Sequence, residues 1–140
     1  MKKRIWMSPL TASFVLTLFS AGARGSSPDD KVVAYYFHNT IRCATCLRIE
    51  SYSKHSIEAG FRPELNSGRV EFHAVNMQLP ENKHFVKEFH LSASSLILVH
   101  IKDGKQVHWR NLDSVWELVG DLSSFMKYVQ FEVKRYLDSH

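Results

Sequence analysis

Val32-Val33-Ala34-Tyr35-Tyr36-Phe37-His38-Asn39-Thr40-Ile41-Arg42-Cys43-Ala44-Thr45-Cys46 joins an apolar run to a pair of cysteines through a short polar turn. Residues 32–38 are rich in branched and aromatic residues with no polar alternation, as expected of a central strand buried on both faces. Residues 39–42 read as the turn. Residues 43–59 read as a helix carrying Leu47, Ile49, Tyr52 and Ile57 among polar residues, with Gly60 in the C-cap role and Pro63 beyond it. A cysteine at the start of a helix has its thiolate stabilised by unpaired backbone N–H groups and by the helix dipole. Its pKa falls, and a usable nucleophile results.

Cys43 and Cys46 are the two cysteines of the chain. A bond between them closes a very small loop, and the entropic stabilisation from a disulfide grows with the loop it closes. A chemical role is therefore favoured over a structural clip. Haem attachment needs a histidine after the second cysteine, and Leu47 stands there.

Upstream, Met1-Lys2-Lys3-Arg4, the mostly apolar residues 10–19 and the triplet Ala21-Gly22-Ala23 read as a secretory signal peptide spanning 1–23. The apolar part is short against the roughly 20 residues of a membrane span, so an uncleaved anchor is the minority reading and no stable span is expected after cleavage. No cysteine follows at which a lipid could be attached. Residues 24–30, with Gly25, Ser26, Ser27 and Pro28, read as a disordered leader, and residues 31–140 as one domain. The expected location is exported, periplasmic or extracytoplasmic. The formal charge of +4 includes Lys2, Lys3 and Arg4, so the remainder carries 15 basic against 14 acidic residues. That balance gives nucleic-acid binding no support.

Downstream, residues 69–76 alternate Val70, Phe72 and Ala74 against Glu71 and His73, which predicts a strand with its apolar face on the first helix. Pro80-Glu81 starts a second helix that carries Phe85, Val86 and Phe89 and ends near His90. Residues 95–101 and 105–109 flank Asp103-Gly104, a strong hairpin signal. Asp113 or Ser114 is the expected cap of one long last helix, with Trp116, Val119, Leu122, Met126, Val129, Val133 and Leu137 as its apolar stripe. The order is β-α-β-α-β-β-α, an α/β fold with a central four-stranded mixed sheet flanked by helices.

With this order and with Cys43-Ala44-Thr45-Cys46 at the strand-to-helix junction, the chain resembles the thioredoxin-like superfamily from about Lys31 onwards. Tyr35-Tyr36-Phe37-His38, Arg42 to Cys46 with Ile49-Glu50, and Val75-Asn76 further resemble an exported family labelled nitrophenyl compound nitroreductase subunit ArsF. The resemblance implies a thiol–disulfide oxidoreductase whose cofactor is its own redox-active disulfide and whose partner is a protein thiol or disulfide. Cys43 matches the attacking cysteine and Cys46 the resolving one. Arg42 replaces the superfamily's tryptophan and adds a positive charge that favours the thiolate. Where the superfamily has a cis-proline facing the cysteines, this chain has Ser94-Ser95, and a trans peptide is expected because a non-proline cis bond costs about 2.5–4 kcal/mol. The superfamily's buried acid has no clear match, its neighbourhood being Tyr36-Phe37-His38; His38 and Glu50 are the weak substitutes.

Three other readings compete. Cys43 and Cys46 with His38 offer soft ligands to copper(I), although two thiolates and one imidazole are too few for a closed zinc site. The cysteines could also be an inert clip, or incidental to an interaction module. His55, His84, His90 and His108 read as surface groups, and His100 as a satisfied sheet histidine. Trp116, Phe125, Met126 and Tyr136 read as core-facing. No Gly-X-Gly-X-X-Gly nucleotide fingerprint occurs.

Overall fold

A computed structural model describes residues 28–139. The expected signal segment, residues 24–27 of the expected leader, and His140 lie outside the described residues. The first strand, β1 (Asp30–His38), leads into α1 (Ala44–Gly60) and a short α2 (Arg62–Ser67). Then come β2 (Val70–Asn76), a 3₁₀ turn at Pro80–Asn82 and α3 (Lys83–Glu88). The chain ends in the hairpin β3 (Ser95–Lys102) and β4 (Lys105–Asn111), followed by α4 (Val115–Leu118) and α5 (Leu122–Leu137).

The four strands form one sheet in the order β2-β1-β3-β4. β1 runs parallel to β2 and antiparallel to β3, and β3 runs antiparallel to β4. This is the mixed four-stranded α/β architecture that the thioredoxin-like resemblance implies. β1 lies inside the sheet and is buried on both sides, which explains its lack of polar alternation. Val32, Ala34 and Tyr36 meet Ile49 and Ile57 of α1 and Phe125, Val129 and Val133 of α5. Val33 and Phe37 face the other way, against Met77, Phe89 and Leu91. At the hairpin, Asp103 (φ 52°) and Gly104 (φ 72°) are both left-handed, the geometry a two-residue turn needs to follow the strand twist.

The structure corrects four boundaries. Gly60 is the last residue of α1 and does not cap it; Phe61 does. A Cβ on Gly60 would lie 2.9 Å from Gln130 Nε2, so the missing side chain lets α5 come close. The left-handed glycine cap is Gly68 (φ 75°), after an α2 that the sequence reading lacked because Pro63 looked like a stop. Pro63 sits in the first turn of α2, where proline fits. Third, the expected single last helix is two, because Gly120-Asp121 interrupts it. Ser114 holds the N-cap position of α4 as expected, without a side-chain cap bond, while Asp121 caps α5 by accepting the Ser123 N–H at 3.0 Å and the Ser124 hydroxyl at 2.6 Å. α3 is likewise shorter than the second helix expected to run to His90, and Pro80 opens a 3₁₀ turn ahead of it.

Candidate active site

β1 delivers the site. Met77 N–H bonds the His38 carbonyl, Asn76 Nδ2 donates to Thr40 Oγ1, and Thr40 N–H donates to Gln78, so the turn after β1 is tied to the end of β2. Cys43 follows with extended backbone (φ −77°, ψ 159°) as the N-cap of α1. Its sulfur accepts the Cys46 N–H at 3.0 Å, and its carbonyl accepts the Leu47 N–H at 3.0 Å. The sulfur thus takes the place usually held by a serine or aspartate oxygen in satisfying a free N–H of the first turn. That N–H and the helix dipole both stabilise negative charge on Cys43.

Cys43 and Cys46 form a disulfide. Cys43 is exposed and Cys46 half-buried. Around them, Ile41 is 91% exposed and Leu47 48%, so an apolar rim flanks the outer sulfur.

Beneath Cys46 lies Tyr36, fully buried on β1, whose hydroxyl donates to the Cys46 carbonyl at 2.7 Å. The Ser94 side chain hydrogen-bonds the same phenol. Burial raises the Tyr36 pKa above its ordinary 10.0, against smaller lowering effects from Ser94 and Arg42, so at neutral pH the group is a donor rather than a base. Ser94 is itself buried and its carbonyl accepts the Trp116 Nε1–H at 3.2 Å. Ser95, also buried, pairs with Phe37 across the sheet and donates its hydroxyl to the Ala93 carbonyl at 3.0 Å. The Ser94–Ser95 peptide is trans, as are all peptide bonds among the described residues.

Arg42 forms an ion pair with Glu50, each side chain 24% exposed. His38 stacks on Tyr36 with ring centroids 6.4 Å apart, and its Nδ1 lies 2.9 Å from the Asn39 carbonyl oxygen. Among the described residues no group of three or more His, Cys, Asp or Glu side chains is arranged to hold a metal ion. Tyr36 is the common neighbour of Cys46, Ser94, Arg42 and His38, and Cys43 is joined to Cys46 by the disulfide, while Ser95 stands one residue further into the sheet.

No family model matches the chain, and no curated protein does. Among solved structures, a thioredoxin from Fasciola hepatica is similar at 20% identity and a TM-score of 0.40, over 68% of this chain and 81% of that one. The reduced thioredoxin pre-protein of Schistosoma mansoni gives 18% and 0.39, over 68% and 79%. A thioredoxin from Trypanosoma brucei brucei gives 18% and 0.38, over 72% and 79%.

Two residues of the site escaped the sequence reading. Trp116 was expected in the core with Phe125, Met126 and Tyr136, but it is 39% exposed and its indole holds the Ser94 loop. The break at Gly120-Asp121 takes it out of the stripe that α5 continues, so helical spacing counted across the break misplaced it. Phe125 and Tyr136 are buried as expected, and Met126 is half-buried. Tyr36 is strand core, as its place in the apolar run predicts; nothing in the sequence signals that its hydroxyl reaches the first turn of α1.

Proposed function

We propose that this chain is an exported thiol–disulfide oxidoreductase or electron-transfer protein that cycles Cys43 and Cys46 between dithiol and disulfide with a protein partner. The observation that carries this reading is the place of the disulfide. Its outer sulfur is exposed at the N-cap of α1 and accepts a backbone N–H, while its inner sulfur is half-buried one turn on. Acting as a reductant, the Cys43 thiolate attacks a partner disulfide, forming a mixed disulfide and releasing one partner thiolate. Cys46 then attacks Cys43 Sγ, closing the internal disulfide and releasing the second partner thiolate, so two electrons pass to the partner. As an oxidant it runs the same steps backwards. Export rests on the signal-like residues 1–23.

The finer ArsF resemblance rests on segments that meet at this site: Tyr36 and His38, Arg42 to Cys46, Glu50 and Asn76. In that reading the chain is the thiol-bearing accessory of a nitroreductase, with any flavin on another chain.

The test is to equilibrate the reduced, metal-free domain in graded thiol–disulfide buffers and read the two cysteines by alkylation and mass. A reversible couple near about −270 mV marks a reductant, and one near about −120 mV an oxidant of other proteins. Absence of a reversible couple overturns the proposal. In that event, about one copper per chain after reducing, anaerobic purification would point to Cys43, Cys46 and His38 as copper(I) ligands.

A further inference from the structure

Arg42 and Glu50 stand on either side of Cys46 along α1. Arg42 precedes the helix, and Glu50 lies one helical turn beyond Cys46 on the same face. To reach Glu50 the guanidinium runs along the first two turns of α1. It lies close enough to Tyr36, whose hydroxyl is bonded to the Cys46 carbonyl, to act on that phenol electrostatically. The ion pair is partly withdrawn from water. It also leaves donors unmet: Arg42 Nε and Nη2 are both buried without a hydrogen-bond partner among the described residues, although Nη2 lies against Glu50 as an ion pair. A buried N–H without a partner is costly, and that of a charged group more so.

These unmet donors lie on the residue next to the sulfur that gains a negative charge on reduction. In the disulfide neither sulfur is charged, and Glu50 is the only anion that any contact among the described residues gives to Arg42. In the dithiol form the Cys43 thiolate becomes a second anion for the same guanidinium. Among the described residues, the contacts at this point bring in two further titratable groups, Tyr36 and His38 on β1. The loop before β3 and α4 bring Ser94 and Trp116, which carry no charge.

We propose that Glu50 is a positioning residue for the redox couple: it holds Arg42 in the oxidised protein and competes with the Cys43 thiolate for it in the reduced one. Glu50 thus acts on Cys43 through Arg42 and sets how strongly the thiolate is stabilised. The inference rests on the proposed redox function, but its test does not require a partner protein.

The experiment is a double-mutant cycle on the full chain, reduced with a phosphine, with the Cys43 pKa read from thiolate absorbance and from the pH dependence of alkylation. Glu50→Gln releases Arg42 to the sulfur and should lower the Cys43 pKa by about one unit, a tenfold change in the thiolate-to-thiol ratio. Arg42→Gln should raise it. In the Arg42→Gln background, Glu50→Gln should change it little, because the route through Arg42 is gone. An equal shift in both backgrounds would mean that Glu50 acts directly on the sulfur, and no shift in the wild-type background would mean that Arg42 stays with Glu50; either result overturns the proposal. Should Glu50→Gln fail to fold, Glu50→Ala carries the same expectations. Loss of the reversible couple with the cycle intact overturns the redox function instead, so the two failures are distinguishable.

Discussion

At the scale of single residues, the hydroxyl of Tyr36 joins three parts of the chain: it sits on β1, donates to the Cys46 carbonyl in α1, and is bonded by Ser94 from the loop before β3. Tyr36→Phe keeps the ring in the core but leaves the buried Ser94 hydroxyl and the Cys46 carbonyl short of a partner, a loss of about 1–3 kcal/mol. Urea unfolding of the oxidised protein at neutral pH measures it. The same residue sets an alkaline limit. Burial raises the Tyr36 pKa in the folded state, so above pH 10 the unfolded chain loses its proton first and the folded chain binds more protons. The stability this supplies is intact below pH 10.0 and falls as pH rises through the folded value. Tyr35 and Tyr136 are shifted the same way, chiefly by burial, so the wild-type unfolding midpoint should drop above pH 10, and less steeply in Tyr36→Phe. For the cysteines, Cys46→Ser should accumulate a mixed disulfide between Cys43 and a partner, seen on non-reducing gels, and Cys43→Ser should not. The opposite pattern would exchange the two roles.

At the scale of elements, what was legible in the sequence is what local chemistry dictates. Unbroken burial of β1, alternation in β2, Asp103-Gly104 between β3 and β4, and a cysteine at the start of α1 all have short-range signatures. The missed features depend on contacts between distant segments. Gly60 looked like a helix cap, but its lack of a Cβ serves Gln130, whose Nε2 donates to the Ser56 carbonyl at 2.9 Å and so links α5 to α1. The true left-handed position is Gly68, whose N–H bonds the Leu65 carbonyl at 3.2 Å. Gly68→Ala forces a side chain into positive φ and should cost about 1 kcal/mol in chemical denaturation. An unchanged midpoint would mean that α2 ends otherwise than described.

At the scale of the whole molecule, the disulfide sits outside both hydrophobic clusters. One cluster joins the sheet to α1 and α5, the other joins its opposite face to α3 and the segments beside it, and neither includes Cys43 or Cys46. Two buried layers on a sheet whose inner strands, β1 and β3, pair on both edges supply the cooperative core of the domain. The bond between residues 43 and 46 closes a four-residue loop, for which the chain-entropy relation gives about 2 kcal/mol. That is small against the usual 5–15 kcal/mol of a folded domain. Reduction should therefore leave the domain folded, with far-UV circular dichroism unchanged and the stability from urea unfolding lower by about 2 kcal/mol or less. A redox carrier needs that property, since both forms must present the same surface to successive partners. If reduction instead unfolds the domain, the Cys43–Cys46 bond is a structural clip, and the case for it as an electron-carrying couple fails with it.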